Sequence, residues 1–228
     1  MKTSGIFLQM LCLSIFLHFS CKQEKTKKVE KALGNGETEI FYVLKSDTNQ
    51  KEGLYYRVNS KGDTLEKSHY TEGKIEGQRI LYYPNGQVNI VENYIHNTYN
   101  GPYQSFFENG APKQFGTFKD GQFEGELKTY YKEPAGRLKE TIFLTNGVED
   151  GAYKQYYPDG KVQTEGIYSN GLKEGEFKEY HPNGALSAEG KYLDDIEDGE
   201  IKIYDTTGTL IKIYVFRDKR PVETIKIR

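Results

Sequence analysis

Apolar and polar residues alternate along this chain in short runs, and glycine-rich turns separate them. Ala152 to Tyr157 is a short aromatic run, Pro158-Asp159-Gly160 breaks it, and Val162 to Tyr168 resumes it. A period of two bounded by such residues predicts β-strands, and the pair reads as a hairpin. Proline presets φ at the second turn position and Asp suits the third. Glycine accepts the left-handed conformation that closes a type I turn with a bulge. No apolar stripe follows a 3.6-residue period, so helix is not expected.

The hairpin recurs. Gly53, Gly77, Gly101, Gly125, Gly151, Gly175 and Gly199 are spaced by 24, 24, 24, 26, 24 and 24 residues. With the leading glycine as position 0, position 5 holds Val58, Tyr82, Phe106, Tyr130, Tyr156, Tyr180 and Tyr204. Position 17 holds Tyr70, Tyr94, Phe118, Tyr168, Tyr192 and Phe216, with Leu144 in the fourth unit after its insertion. Position 9 is a turn glycine throughout, Gly136 taking that role in the fourth unit. Positions 11, 13, 15 and 17 have one parity and are expected on one face. Glycine at position 15 (Gly116, Gly166, Gly190) is expected to leave room for a ring from the next strand. Position 20 holds Gly73, Asn97, Gly121, Gly171 or Asp195, residues that tolerate positive φ at a second turn.

A fixed period in this range predicts a repeat array in which each unit packs on its neighbours. The expected fold is all-β, an elongated antiparallel sheet of stacked hairpins with about 14–16 strands. Seven repeats span 53–223, with a capping strand and loop at 39–52 and a capping strand at 224–228. Thr224 to Arg228 matches Glu200 to Tyr204.

The pattern Tyr-Tyr-Pro-Asn/Asp-Gly-x-Val at Tyr82 to Val88 and Tyr156 to Val162 resembles the bacterial variant of the membrane occupation and recognition nexus (MORN) repeat. That resemblance implies the hairpin array. The array itself, with an N-terminal tether and anchor and no convergent polar site, leads to the expectation of a non-enzymatic interaction scaffold. Some relatives are labelled YwqK-type antitoxins, which implies as an alternative the neutralisation of a toxin partner by direct binding.

Residues 1–20 read as a signal peptide: Lys2, an apolar stretch from Ile6 to Phe19, then Ser20 before Cys21. The stretch is short for a membrane span. It resembles a bacterial lipoprotein signal, with His18 where leucine is usual. Cys12 would leave with it, so Cys21 would be the lone cysteine and the lipidation site. Several acyl chains would anchor the chain stably. The expected location is the bacterial cell envelope, lipid-anchored at the outer membrane and facing the periplasm or the surface. Residues 21–38, with five lysines between 22 and 31, are expected as the lipidated cysteine and a flexible polar tether.

Charge and chemistry narrow the function. Without Lys2 the chain keeps 30 of its 31 basic side chains against 33 acidic ones, a net charge near −3. Nucleic-acid partners call for a basic patch instead. His69, His96 and His181 fall at positions 16, 19 and 6, so no zinc site is expected. His181 stands where other units carry Tyr83, Phe107, Tyr131 and Tyr157, a substitution in an aromatic slot. No cofactor, metal or catalytic residue is expected. A hydrolase acting on glycan or peptide would need two carboxylates converging across a cleft.

Position −1 holds Glu52, Glu76, Asn100, Glu124, Asp150, Glu174 and Asp198. This row is either an acidic rail for a basic protein partner or a turn residue kept by local hydrogen bonding. Lys128, Lys154, Lys178 and Lys202 form a second row at position 3, and their stems can cover apolar sheet surface.

Overall fold

The computed structural model describes residues 25–227, which form one antiparallel meander. Twenty strand segments occur. Three of them, Lys74–Ile75, Thr98–Tyr99 and Gln122–Phe123, are two-residue pieces that run directly into the next strand past a leading glycine. Seventeen hairpin strands result, slightly more than expected. No helix among the described residues is long and apolar enough to cross a membrane.

Both turns of each unit follow from their residues. At one edge Gly160 N–H donates to the Tyr157 carbonyl (2.8 Å), and Gly160 has φ +92°. At the other edge two consecutive residues are left-handed, for example Glu72 (φ 52°) with Gly73 (77°) and His96 (49°) with Asn97 (71°). That is the two-residue primed turn, whose twist matches the flanking strands. Position 20 was expected to be left-handed; position 19 shares that conformation.

The leading glycine lies inside a strand, not before one. Val148–Tyr156 passes through Gly151 (φ +137°), and the register with Leu138–Thr145 shifts there, between Ile142 opposite Tyr153 and Leu144 opposite Glu149. A second shift follows position 4. Gln155 faces Thr164, but Tyr156 faces Val162. This bulge corrects the parity expectation. Position 11 pairs with position 5, and position 5 points to the opposite face from positions 4, 13, 15 and 17. The two aromatic rows therefore lie on opposite faces.

Those faces differ in packing. Val43, Tyr55, Tyr94, Ile142, Leu144 and Phe177 are the buried apolar side chains, and Glu66, Ser68, Glu92, Ser105 and Thr141 the buried polar ones. The cross-strand registers place all but Thr141 on the face of positions 2, 4, 13, 15 and 17. We call it the packed face and its reverse the open face. Rings interlock along the packed face, as in Tyr153–Tyr168–Phe177–Tyr192, with centroids 5.4, 5.7 and 5.3 Å apart in edge-on contacts.

Both ends differ from expectation. Residues 26–32 are not tether but a strand, Thr26–Ala32, paired along its whole length with Thr38–Leu44. The reason is a turn at Leu33-Gly34-Asn35-Gly36, where Gly36 (φ +82°) donates to the Leu33 carbonyl as the Pro-Asp-Gly glycines do. The lysines guard an exposed sheet edge, where charge discourages further pairing. The strand expected at 39–52 is thus second from the end. At the other terminus the capping strand is Arg220–Lys226, four residues earlier than expected, antiparallel to Leu210–Arg217.

Candidate functional site

Cys21 lies outside the described residues. The acidic row is described, and its role is local at four positions. Glu52 accepts the Glu72 N–H (2.8 Å), Glu76 that of His96 (2.9 Å), Glu124 that of Asn146 (2.9 Å) and Glu174 that of Asp194 (3.3 Å). Each carboxylate caps the first left-handed residue of its own unit's primed turn. Asp150 and Asp198 occupy the same edge without such a bond. Asn97 and Asp195 hook successive turns together by accepting from Ile75 N–H and Lys173 N–H (both 2.6 Å).

The opposite edge is stapled by position 6. Tyr83, Tyr131 and Tyr157 donate their hydroxyls to the position-5 carbonyls of the next unit, Phe106, Tyr156 and Tyr180, at 2.7–2.8 Å. His181 Nε2 makes the same bond to Tyr204 O at 3.0 Å, so its ring carries the proton on Nε2. The substitution in the aromatic slot is functional replacement of one donor by another. His181→Phe, which keeps the ring and loses the donor, should cost about 1 kcal/mol, and His181→Tyr should cost less. Urea midpoints measure both; equal losses would refute the donor role.

The packed face carries an ionic chain in its first two units. Arg57 bonds Glu37 (2.7 Å) and Glu66 (3.3 Å), and Arg79 bonds Glu66 (2.8 Å) and Glu92 (3.3 Å). The Tyr94 hydroxyl donates to Glu92 at 2.9 Å. Burial works against the Arg79 charge, but its bonds to Glu66 and Tyr94 outweigh that and raise its pKa. Glu66 and Glu92 are the buried carboxylates that come together here, but Arg79 stands between them and engages both. A glycosidase would need that space for substrate. Among the described residues, no group of three or more His, Cys, Asp or Glu side chains could hold a metal ion.

The open face carries a different row. Lys128, Thr141, Lys154, Glu165, Lys178, Glu189 and Lys202 stand directly opposite one another on seven successive strands. From Lys154 onward the signs alternate strictly. Lys154 Nζ meets Glu165 at 2.9 Å. Tyr180 and Tyr204 of the following units donate to Glu165 and Glu189, each at 2.7 Å. The Tyr180 hydroxyl and Lys154 hold Glu165 below the usual carboxylate range. Glu176, Lys178, Glu189, Lys191, Glu200 and Lys202 surround an open groove of about 480 Å³ floored by Gly190 and Gly199. Phe143 (45% exposed) and Ile167 (53% exposed) flank the row with apolar surface. The lysine row was expected; its interleaving with glutamates was not, because it depends on the register across the bulges.

Burial and the Glu165 bond push Tyr180 up to about 12; the Glu189 bond and then burial do the same for Tyr204, and burial for Tyr153. In the unfolded chain these hydroxyls ionise near 10. Between pH 10 and 12 the unfolded state therefore holds fewer protons, and stability falls as pH rises. Below pH 10 the contribution is fully present. Urea midpoints should be level up to about pH 9.5 and drop steeply by pH 11; a level midpoint at pH 11.5 would contradict this.

The model of the MORN repeat variant matches the chain at residues 75–96, 149–170 and 173–194. Each match starts two residues before a leading glycine and ends at position 19, so the family's unit runs from one primed turn to the next. These three segments are MORN-variant repeats. No curated protein matches the chain.

Proposed function

We propose that this MORN-repeat chain is a non-enzymatic, lipid-anchored envelope protein whose open face binds a protein partner. Repeat arrays of this kind are binding scaffolds with extended surfaces. One observation supports the choice of face: nearly every buried side chain lies on the packed face, which leaves the open face free. Its alternating row extends over roughly 19 Å from Lys154 to Lys202, at about 4.8 Å per strand. Such a row suits a partner with a complementary alternation, because charge pattern sets register and rejects wrong partners. Residues 1–21, with their lipoprotein-like pattern, support anchoring through Cys21.

Pull-down from solubilised membranes tests both parts. The wild-type chain should retain a protein that is lost when Lys154, Lys178 and Lys202 are all changed to glutamate, with circular dichroism unchanged. Cys21→Ser should release the chain from the membrane fraction. Retention of the same partner by the charge-reversed chain refutes the open face, and membrane retention of the serine variant refutes the anchor.

A further inference from the structure

We propose that Phe41, Tyr55 and Tyr70 form a binding site for a quaternary alkylammonium group, with Lys51 as its resident occupant. The three rings come from adjacent strands on the packed face, Thr38–Leu44, Lys51–Val58 and Thr64–Thr71. Lys51 Nζ lies over all three, 4.7 Å from the Phe41 centroid, 4.5 Å from Tyr55 and 4.9 Å from Tyr70. Near-equal distances to three ring faces define a cage, the arrangement that recognises methylated ammonium groups. The cage is held from outside. The Tyr55 hydroxyl donates to Glu39 at 2.9 Å, and Tyr55 is itself 5% exposed. Glu66, on the same strand as Tyr70, carries a buried carboxylate on this face and is bonded to Arg79.

A primary ammonium is a poor match for such a site. Its three donors want acceptors, yet among the described residues Lys51 Nζ has no ion-pair or hydrogen-bond partner. A quaternary ammonium has no donor to satisfy and presents methyl groups to the rings. The slot also has room. At the same position of other units it holds whole rings, Tyr99 stacked 4.9 Å from Phe118 and Phe123 stacked 4.0 Å from Phe118. In unit one it holds a flexible stem that can swing away. Beside it Ser68 Oγ, directly opposite Tyr55, is buried with no hydrogen-bond partner. That hydroxyl is an unused donor on the same face as the three rings. Unit six provides an internal contrast, since Lys173 Nζ covers only two rings, Phe177 at 5.1 Å and Tyr192 at 5.0 Å.

Calorimetric titration of choline chloride into the full chain tests the proposal. Lys51→Ala should bind choline about tenfold tighter than the unaltered chain, and about tenfold tighter than its neutral isostere 3,3-dimethylbutan-1-ol. Phe41→Leu on that background should weaken binding, and Lys173→Ala should create no second site. No binding by a Lys51→Ala chain that melts normally overturns the site. Equal binding of the neutral alcohol overturns cation recognition, and equal affinity with and without Lys51 overturns its role as occupant. The cage is on the packed face, so these outcomes leave the open-face reading independent.

Discussion

Arg79→Ala is expected to destabilise the first units by about 3–5 kcal/mol, the range for removing one partner of a buried ion pair. Arg79 bonds two carboxylates, Glu66 and Glu92, whose side chains are 8% and 7% exposed. Its removal leaves both with less compensation in a site that water reaches poorly. Arg57 still reaches Glu66 at 3.3 Å, and Tyr94 still donates to Glu92, so neither acid is left wholly unpaired. The loss should therefore shrink markedly when Glu66→Gln and Glu92→Gln are added, because the amides need no counter-charge. An exposed pair such as Lys28–Glu30 sets the opposite limit, with both side chains more than half exposed; Lys28→Ala should leave the urea midpoint essentially where it is. Urea melts of the four chains decide the matter. An Arg79→Ala loss as small as that of Lys28→Ala would mean the chain of charges is solvated in practice.

Most of the hairpin architecture can be read from single residues, because the signals are local. Pro158-Asp159-Gly160 states its own turn, and the glycine spacing states the period. His181 could be placed because four other units carry an aromatic residue at its position, and the structure gives it the bond that the tyrosines make. What could not be read depends on register. Counting parity along Val162 to Tyr168 misplaces Val162, since the bulge that moves it leaves no mark on parity. The Lys154–Glu165–Lys178 alternation joins residues at positions 3 and 14 of different units, and only pairing brings those positions opposite. Glu66, Arg79 and Glu92 each break the repeat in a different way, at positions 13, 2 and 15, so no column of the repeat reveals them. The strand at Thr26–Ala32 was obscured by lysines that suit a tether and a sheet edge equally, although Asn35-Gly36 carries the turn signal. The acidic row shows the converse: its regularity is visible, but its cause is a hydrogen bond to a turn 20 residues further on.

Gly166→Ala should be among the costliest single-methyl additions in the sheet, by about 2–3 kcal/mol and at the upper end for overpacking. Position 15 was expected to leave room for a ring, and at Gly166 it does. A Cβ there would stand 2.5–2.6 Å from three atoms of the Phe177 ring. That ring is 4% exposed and held between Tyr168 and Tyr192, so it has nowhere to turn. At Gly116 the nearest atom is Leu127 Cδ1 at 2.6 Å, the far end of a flexible side chain. Gly116→Ala should therefore cost less, because a leucine rotamer can give where a wedged ring cannot. The clash also predicts a coupling. Phe177→Leu alone opens a cavity and destabilises, but combined with Gly166→Ala it makes space for the new methyl. The double variant should be more stable than the sum of the single losses by about 1–2 kcal/mol, within the range for residues in contact. Circular dichroism melts of the four chains in this cycle measure it. Strict additivity, or equal losses at Gly116 and Gly166, would show that the glycines are kept for backbone freedom and not for the ring behind them.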